Sequence, residues 1–128
     1  RERAASNICT NQALCALAAS VYLSWAGPRG LAEVARQCHA KSHYLAGRIA
    51  GLKGFSVDSA QFFKEFAVRA PVPAADIVAA GLDAGLLAGV DLGRFQPEWK
   101  NNLLVAVTEK RTRGEMDRLA ELLARFAR

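Results

Sequence analysis

FFKEFAVRA, residues 62–70, is the stretch on which the reading of the whole chain turns. Phe66, Val68 and Ala70 alternate with Glu65, Ala67 and Arg69, the period of two that sets apolar side chains on one side of an extended segment. The spacing predicts a half-buried strand over 62–70, ended by Pro71 and Pro73, which carry no N–H for a ladder.

Downstream, Ala74 to Ala84 reads as a short helix that Gly85 can cap. Glycines at 81, 85, 89 and 93 then mark tight turns around one short strand, Leu86 to Leu92. NLLVAV, Asn102 to Val107, has the composition of a buried strand. The TRGE run from Thr112 to Glu115 is a capping-box pattern, and Met116, Leu119, Ala120, Leu123 and Phe126 then share one helical face.

Upstream, Arg29 to Leu52 is amphipathic: Leu31, Val34, Ala35, Cys38, Leu45, Ile49 and Leu52 recur at helical intervals. NQALCALAASVYLSW, Asn11 to Trp25, is instead apolar on nearly every side, so this helix has to be covered by protein all round. Thr10 or Asn7 supplies its N-cap oxygen, and Gly27 with Pro28 separates the two helices, packed through a tight corner. Strands in a hairpin-like connection with helices on one face imply an α+β fold, an antiparallel sheet backed by helices and preceded by a long helical arm. The expected division is an arm over residues 1–27 and a small α+β domain over 28–128.

The 128 residues, 52% apolar and 23% charged, have the make-up of a folded domain rather than a disordered tail. The chain opens at Arg1 on residues that read as the middle of a segment, so a piece of a longer protein is expected. Ser20, Ser24, Arg29 and Glu33 interrupt the most apolar stretch, which excludes a membrane-spanning helix. Cys9, Cys15 and Cys38 are odd in number and lack CxxC spacing, which points to buried thiols in a reducing, cytoplasmic compartment rather than to disulfides or a structural metal. The net charge of +5 is spread along the chain. Its one dense cluster, Lys110, Arg111 and Arg113, has no aromatic neighbours to stack on bases, so no nucleic-acid partner is expected.

A search for a self-contained catalytic set fails. His39 and His43 stand four apart, as two metal ligands on a helix would, but no third ligand accompanies them. Phosphate-binding glycine loops are missing, and nothing brings Asp91 and Glu98 together. The exception is RERAASNICTNQAL, where Ser6, Asn7, Thr10, Asn11 and Gln12 gather polar groups directly ahead of the apolar helix. Such a junction is either an elaborate N-cap or a place where helix N–H groups meet an anionic ligand.

SNICTNQAL, with Arg1 and Arg3 before it, resembles the segment of glycine-cleavage P-proteins (glycine dehydrogenase, decarboxylating) that usually reads KATSNICTNQAL. Ala5 stands where that segment has threonine. The likeness continues through GPRGLAEVA, FFKEFAVR, GLDAGLLAGVDLGRF and LLVAVTEKRT, in the same order. Asn11 and VDLGRF are more similar to the separate subunit 1 of two-subunit P-proteins than to the fused form.

The resemblance implies the C-terminal portion of a fold-type I pyridoxal-phosphate enzyme that decarboxylates glycine and passes the aminomethyl group to the lipoyl arm of H-protein. It implies subunit 2 as a partner, holding the cofactor lysine. It also places Ser6, Asn7, Thr10 and Asn11 at the cofactor or the active-site interface. Arg69 and Arg111 are further cations suited to a carboxylate. The chain alone is then inactive, and its uncovered helix invites pairing with a second copy. The alternatives are a non-catalytic protein-interaction domain, which the apolar helix suits, and a basic nucleic-acid module, which only the charge suggests.

Overall fold

The computed structural model describes residues 12–128 together with Arg3. The chain divides into two compact units, residues 1–34 and 35–128.

A long helix, α1 (Ala13–Ala50), begins in the first unit and is interrupted once, at Gly27, whose φ of 61° and ψ of 178° are not helical. Pro28 lacks an N–H and its ring crowds the preceding turn, so a helix cannot run through it unbroken. Glycine absorbs the positive φ without a Cβ clash. The sequence reading of two helices broken at this Gly-Pro pair therefore holds, but the break is one residue wide and the second segment ends at Ala50 instead of Leu52.

In the second unit a four-stranded antiparallel sheet is built from β1 (Ser56–Val57), β2 (Glu65–Arg69), β3 (Val90–Asp91) and β4 (Asn102–Ala106), in the order β1-β2-β4-β3. Two helices, α2 (Ala74–Asp83) and α3 (Arg113–Ala124), complete it. Phe66 and Val68 of β2, with Leu103 and Val105 of β4, are buried on one face. Glu65 and Arg69 on the opposite face are exposed. The buried face packs in one cluster with Leu45 and Ile49 of α1, Ile77 of α2, and Met116, Leu119, Leu122 and Leu123 of α3. Each fully buried aliphatic or aromatic side chain there contributes about 1.5–3 kcal/mol relative to exposure. The expected α+β layer, sheet on one side and helices on the other, is the one found.

The capping box is present in full. Thr112 Oγ1 accepts from Glu115 N–H, and the Glu115 carboxylate accepts from Thr112 N–H at 2.7 Å. α2 ends at Asp83, one residue short of the expected Ala84, and Gly85 follows at a φ of 69°.

Three expectations change. β2 starts at Glu65, not Phe62, because Phe62 turns its ring onto His43, 4.2 Å between centroids and 11° between planes. The strand expected over 86–92 shrinks to Val90–Asp91, because Leu86 N–H is tied back to Gly81 C=O at 2.8 Å and the segment stays off β4 until Gly89. Two 3-10 turns, Leu92–Arg94 and Pro97–Trp99, follow it. β1 was not foreseen, since two residues carry no readable period.

Candidate functional site

Ser6, Asn7, Thr10 and Asn11, the residues expected at the cofactor or interface, lie outside the described residues. The described chain resumes at Gln12, whose C=O accepts from Ala16 N–H at 2.8 Å. From there the first half of α1 presents Leu14 (79% exposed), Leu17 (61%), Val21 (61%), Leu23 (50%) and Trp25 (82%). Tyr22 leans on Trp25, 6.3 Å between ring centroids. Ser20 Oγ donates to Ala16 C=O at 2.8 Å, which satisfies that hydroxyl inside the helix. The helix read as needing cover on every side is therefore bare among the described residues.

The cysteines divide the same way. Cys38 is buried, as expected, with Sγ 3.5 Å from a Glu109 carboxylate oxygen. Cys15, expected to be buried, is exposed. It belongs to the helix whose apolar surface is uncovered, so the pattern that suggested burial is right about chemistry and not about surroundings.

The two candidate cations fall at separate hollows. Arg69 pairs with Asp58, Nε to Oδ2 at 3.2 Å, beside a hollow of about 440 Å³ that Trp99, Lys100 and Asn101 also line. Asn101 Oδ1 is buried there without a partner among the described residues. Arg111 pairs with Glu115 at 3.3 Å and sits on the rim of a cleft of about 600 Å³ between the 85–90 segment and the start of α3. Both ion pairs are solvent-facing and contribute little stability. Sequence reasoning missed this cleft and no local pattern announces it, because its walls come from three elements far apart in the chain.

His39 and His43 do meet, with ring centroids 4.2 Å apart. His43 Nε2 lies 3.3 Å from Phe62 C=O, and its ring is stacked on Phe62. No group of three or more His, Cys, Asp or Glu suited to a metal ion occurs among the described residues. Asp91 and Glu98 are not brought into one site: Asp91 Oδ1 accepts from Gly93 N–H at 2.8 Å, and Glu98 lies at the other hollow. Buried Ser42, which the sequence reading passed over, holds α1 to the 62–63 turn by donating toward His39 C=O (2.9 Å) and Phe63 C=O (2.8 Å).

A Schiff-base cofactor needs a lysine withdrawn from water. Lys53, Lys100 and Lys110 are exposed, Lys64 is half-buried, and Lys41, also half-buried, has Nζ donating to Glu109 C=O. The described residues do not fit a pyridoxal-phosphate bed.

What the fold and these hollows define is a small α+β domain led in by an apolar helix. Known proteins narrow this. A solved structure titled as glycine decarboxylase (P-protein) of the glycine cleavage system, in inhibitor-bound form, superposes with a TM-score of 0.84 over 98% of this chain and 29% of that one, at 31% identity. The family profile for the glycine cleavage system P-protein matches residues 1–123. The probable glycine dehydrogenase (decarboxylating) subunit 1 of Chlorobium limicola is 58% identical over 125 residues, 97% of this chain and 28% of that protein. Its counterpart in Moorella thermoacetica is 50% identical over 120 residues, 93% of this chain and 27% of that protein. The chain belongs to the glycine cleavage system P-protein family, and it spans little more than a quarter of the length of the relatives it matches.

Proposed function

We propose that this chain is the C-terminal part of subunit 1 of a two-subunit P-protein, an enzyme of glycine decarboxylation whose activity appears only when the rest of subunit 1 and subunit 2 are joined to it. Residues 1–27 are the connecting arm and residues 28–128 the small domain. Pyridoxal phosphate supplies the electron sink in the complete enzyme, on a lysine of subunit 2, and lipoylated H-protein receives the aminomethyl group. The compartment is cytoplasmic.

One observation carries this reading: the first half of α1, apolar and exposed, begins at Ala13 inside the SNICTNQAL motif. Covering Leu14, Leu17, Val21 and Leu23 gains about 1.5–3 kcal/mol each on full burial, so the arm is built to lie against protein. The polar groups of Ser6, Asn7, Thr10 and Asn11 are carried to that same interface and meet the active site there.

The test is Ser6→Ala combined with Asn7→Ala in the complete two-subunit enzyme. Expected is intact assembly by size-exclusion chromatography with glycine decarboxylation reduced about tenfold or more, the cost of removing polar contacts at a buried site. The same bare helix also suits the second reading, a docking module with no part in the chemistry. Unchanged turnover in an assembled double variant would favour that reading and end the first.

A further inference from the structure

No part of the decarboxylase reading uses His39 and His43, and the fold places beside them a donor that their sequence neighbourhood lacks. Residues four apart on a helix share one face, and the two rings are in contact, 4.2 Å between centroids and 34° between planes. Both side chains are exposed, so an ion can reach them from solvent. Lys41 lies between them in the chain but on the other side of the helix, where its Nζ donates to Glu109 C=O. Its charge is therefore drawn away from the pair.

The third donor is a main-chain oxygen. His43 Nε2 stands 3.3 Å from Phe62 C=O, longer than the usual N–H···O range of about 2.7–3.2 Å. Two donors held about 2.1 Å from one ion, at close to a right angle, stand about 3.0 Å apart. A small shift therefore turns this contact into two adjacent corners of a coordination shell. The surroundings hold both donors in place. Ser42, fully buried, donates to His39 C=O at 2.9 Å and to Phe63 C=O at 2.8 Å, which ties the 62–63 backbone to this turn of α1. The Phe62 ring lies on the His43 ring, 11° between planes, and meets Phe66 of the core at 4.9 Å between centroids. Such outer contacts orient a metal-binding imidazole.

We propose that His39, His43 and Phe62 C=O form a binding site for a divalent transition-metal ion of the zinc, nickel and copper class, with water in its remaining positions. Two imidazoles select these ions over magnesium and calcium, which take oxygen shells. The ion needs Nε2 of His43 unprotonated, so the ring's one proton sits on Nδ1. With no carboxylate or thiolate in the shell, binding is of micromolar strength, weaker than at a structural zinc site. A bound ion clips the second half of α1 to the 62–63 turn. The site does not depend on the decarboxylase reading.

The test titrates zinc chloride into the isotopically labelled chain carrying Cys9→Ser and Cys15→Ser, which removes thiols that could compete for the ion. Expected is one ion per chain, with the ring resonances of His39 and His43 and the carbonyl carbon of Phe62 shifting together. Magnesium chloride at the same concentration should leave all three unmoved. His39→Ala keeps the stack of His43 on Phe62 and should weaken zinc binding about tenfold or more. His43→Ala should weaken it at least as much. Four results overturn the proposal: no binding at about 1 mM zinc, unchanged affinity in either histidine variant, a Phe62 carbonyl that does not respond to the ion, or an equal response to magnesium.

Discussion

The first half of α1 and the whole of α3 are both helices rich in leucine and alanine, and they end in opposite situations. Leu119, Leu122 and Leu123 of α3 are buried in the domain's own core, while Leu14, Leu17 and Val21 of α1 are exposed. The difference is visible in where the polar residues fall. In α3, Arg113, Asp117, Arg118 and Glu121 occupy one side and leave a single apolar stripe, which a sheet face can cover. The first half of α1 has no such wet side, so one sheet could never satisfy it. A one-sided stripe is solved within a domain, whereas an all-round apolar helix needs several neighbours, which the described residues do not provide.

The widest gap should appear when equivalent truncations are made in the two regions. Phe66→Ala removes a ring from the closed core and should cost about 3–5 kcal/mol, read as a lower urea midpoint for this chain. Leu17→Ala on the bare helix should change the stability read from that midpoint by no more than about 0.5 kcal/mol. Comparable losses from the two variants would mean that the arm is already buried, and the contrast between the regions would be false.

Glycine substitutions sharpen the same contrast at a smaller scale. Gly89 and Gly27 both have positive φ, 154° and 61°. A Cβ at Gly89 meets Leu104 C=O and the Leu103 side chain, while at Gly27 nothing lies within 4 Å. Gly89→Ala therefore combines a backbone penalty with a steric one, about 2–4 kcal/mol together. Gly27→Ala should show only the conformational cost of holding φ 61° and ψ 178°, about 1–3 kcal/mol at the break itself, with the unfolding midpoint of the domain unmoved. Thermal melts of the two variants beside the parent chain separate the cases.

How much of this was readable beforehand follows from how local each signal is. The alternation of Phe66, Val68 and Ala70 and the Thr112-to-Glu115 box are complete within a few residues, and both stand in the structure as read. β1 and the truncated β3 depend on where partners lie, which no window of sequence contains. Ser42 looks like a surface residue on an amphipathic helix, yet two carbonyls from different elements make its burial tolerable. The all-round apolarity of the helix after Gln12 is legible because it rests on composition alone, whereas the proposal of Ser6, Asn7, Thr10 and Asn11 as site residues rests on resemblance.

The smallest effect tests the local end of that scale, at the capping box. Thr112 N–H, and then its hydroxyl, hold the Glu115 carboxyl below the usual carboxylate range. A carboxyl whose folded pKa is depressed stabilises the fold fully above its unfolded value, about 4.3, and that contribution is lost as pH falls through the lower folded value. Thr112→Ala removes the cap and should cost about 1 kcal/mol near neutral pH. Below the carboxylate range Glu115 is protonated in both proteins, so the difference between them should shrink. Urea midpoints for the two proteins at neutral pH and well below the carboxylate range decide the matter. A gap that stays constant would show that the Thr112 hydroxyl's bond to the Glu115 carboxylate contributes nothing, leaving its acceptance of the Glu115 N–H as the hydroxyl's whole part in the cap.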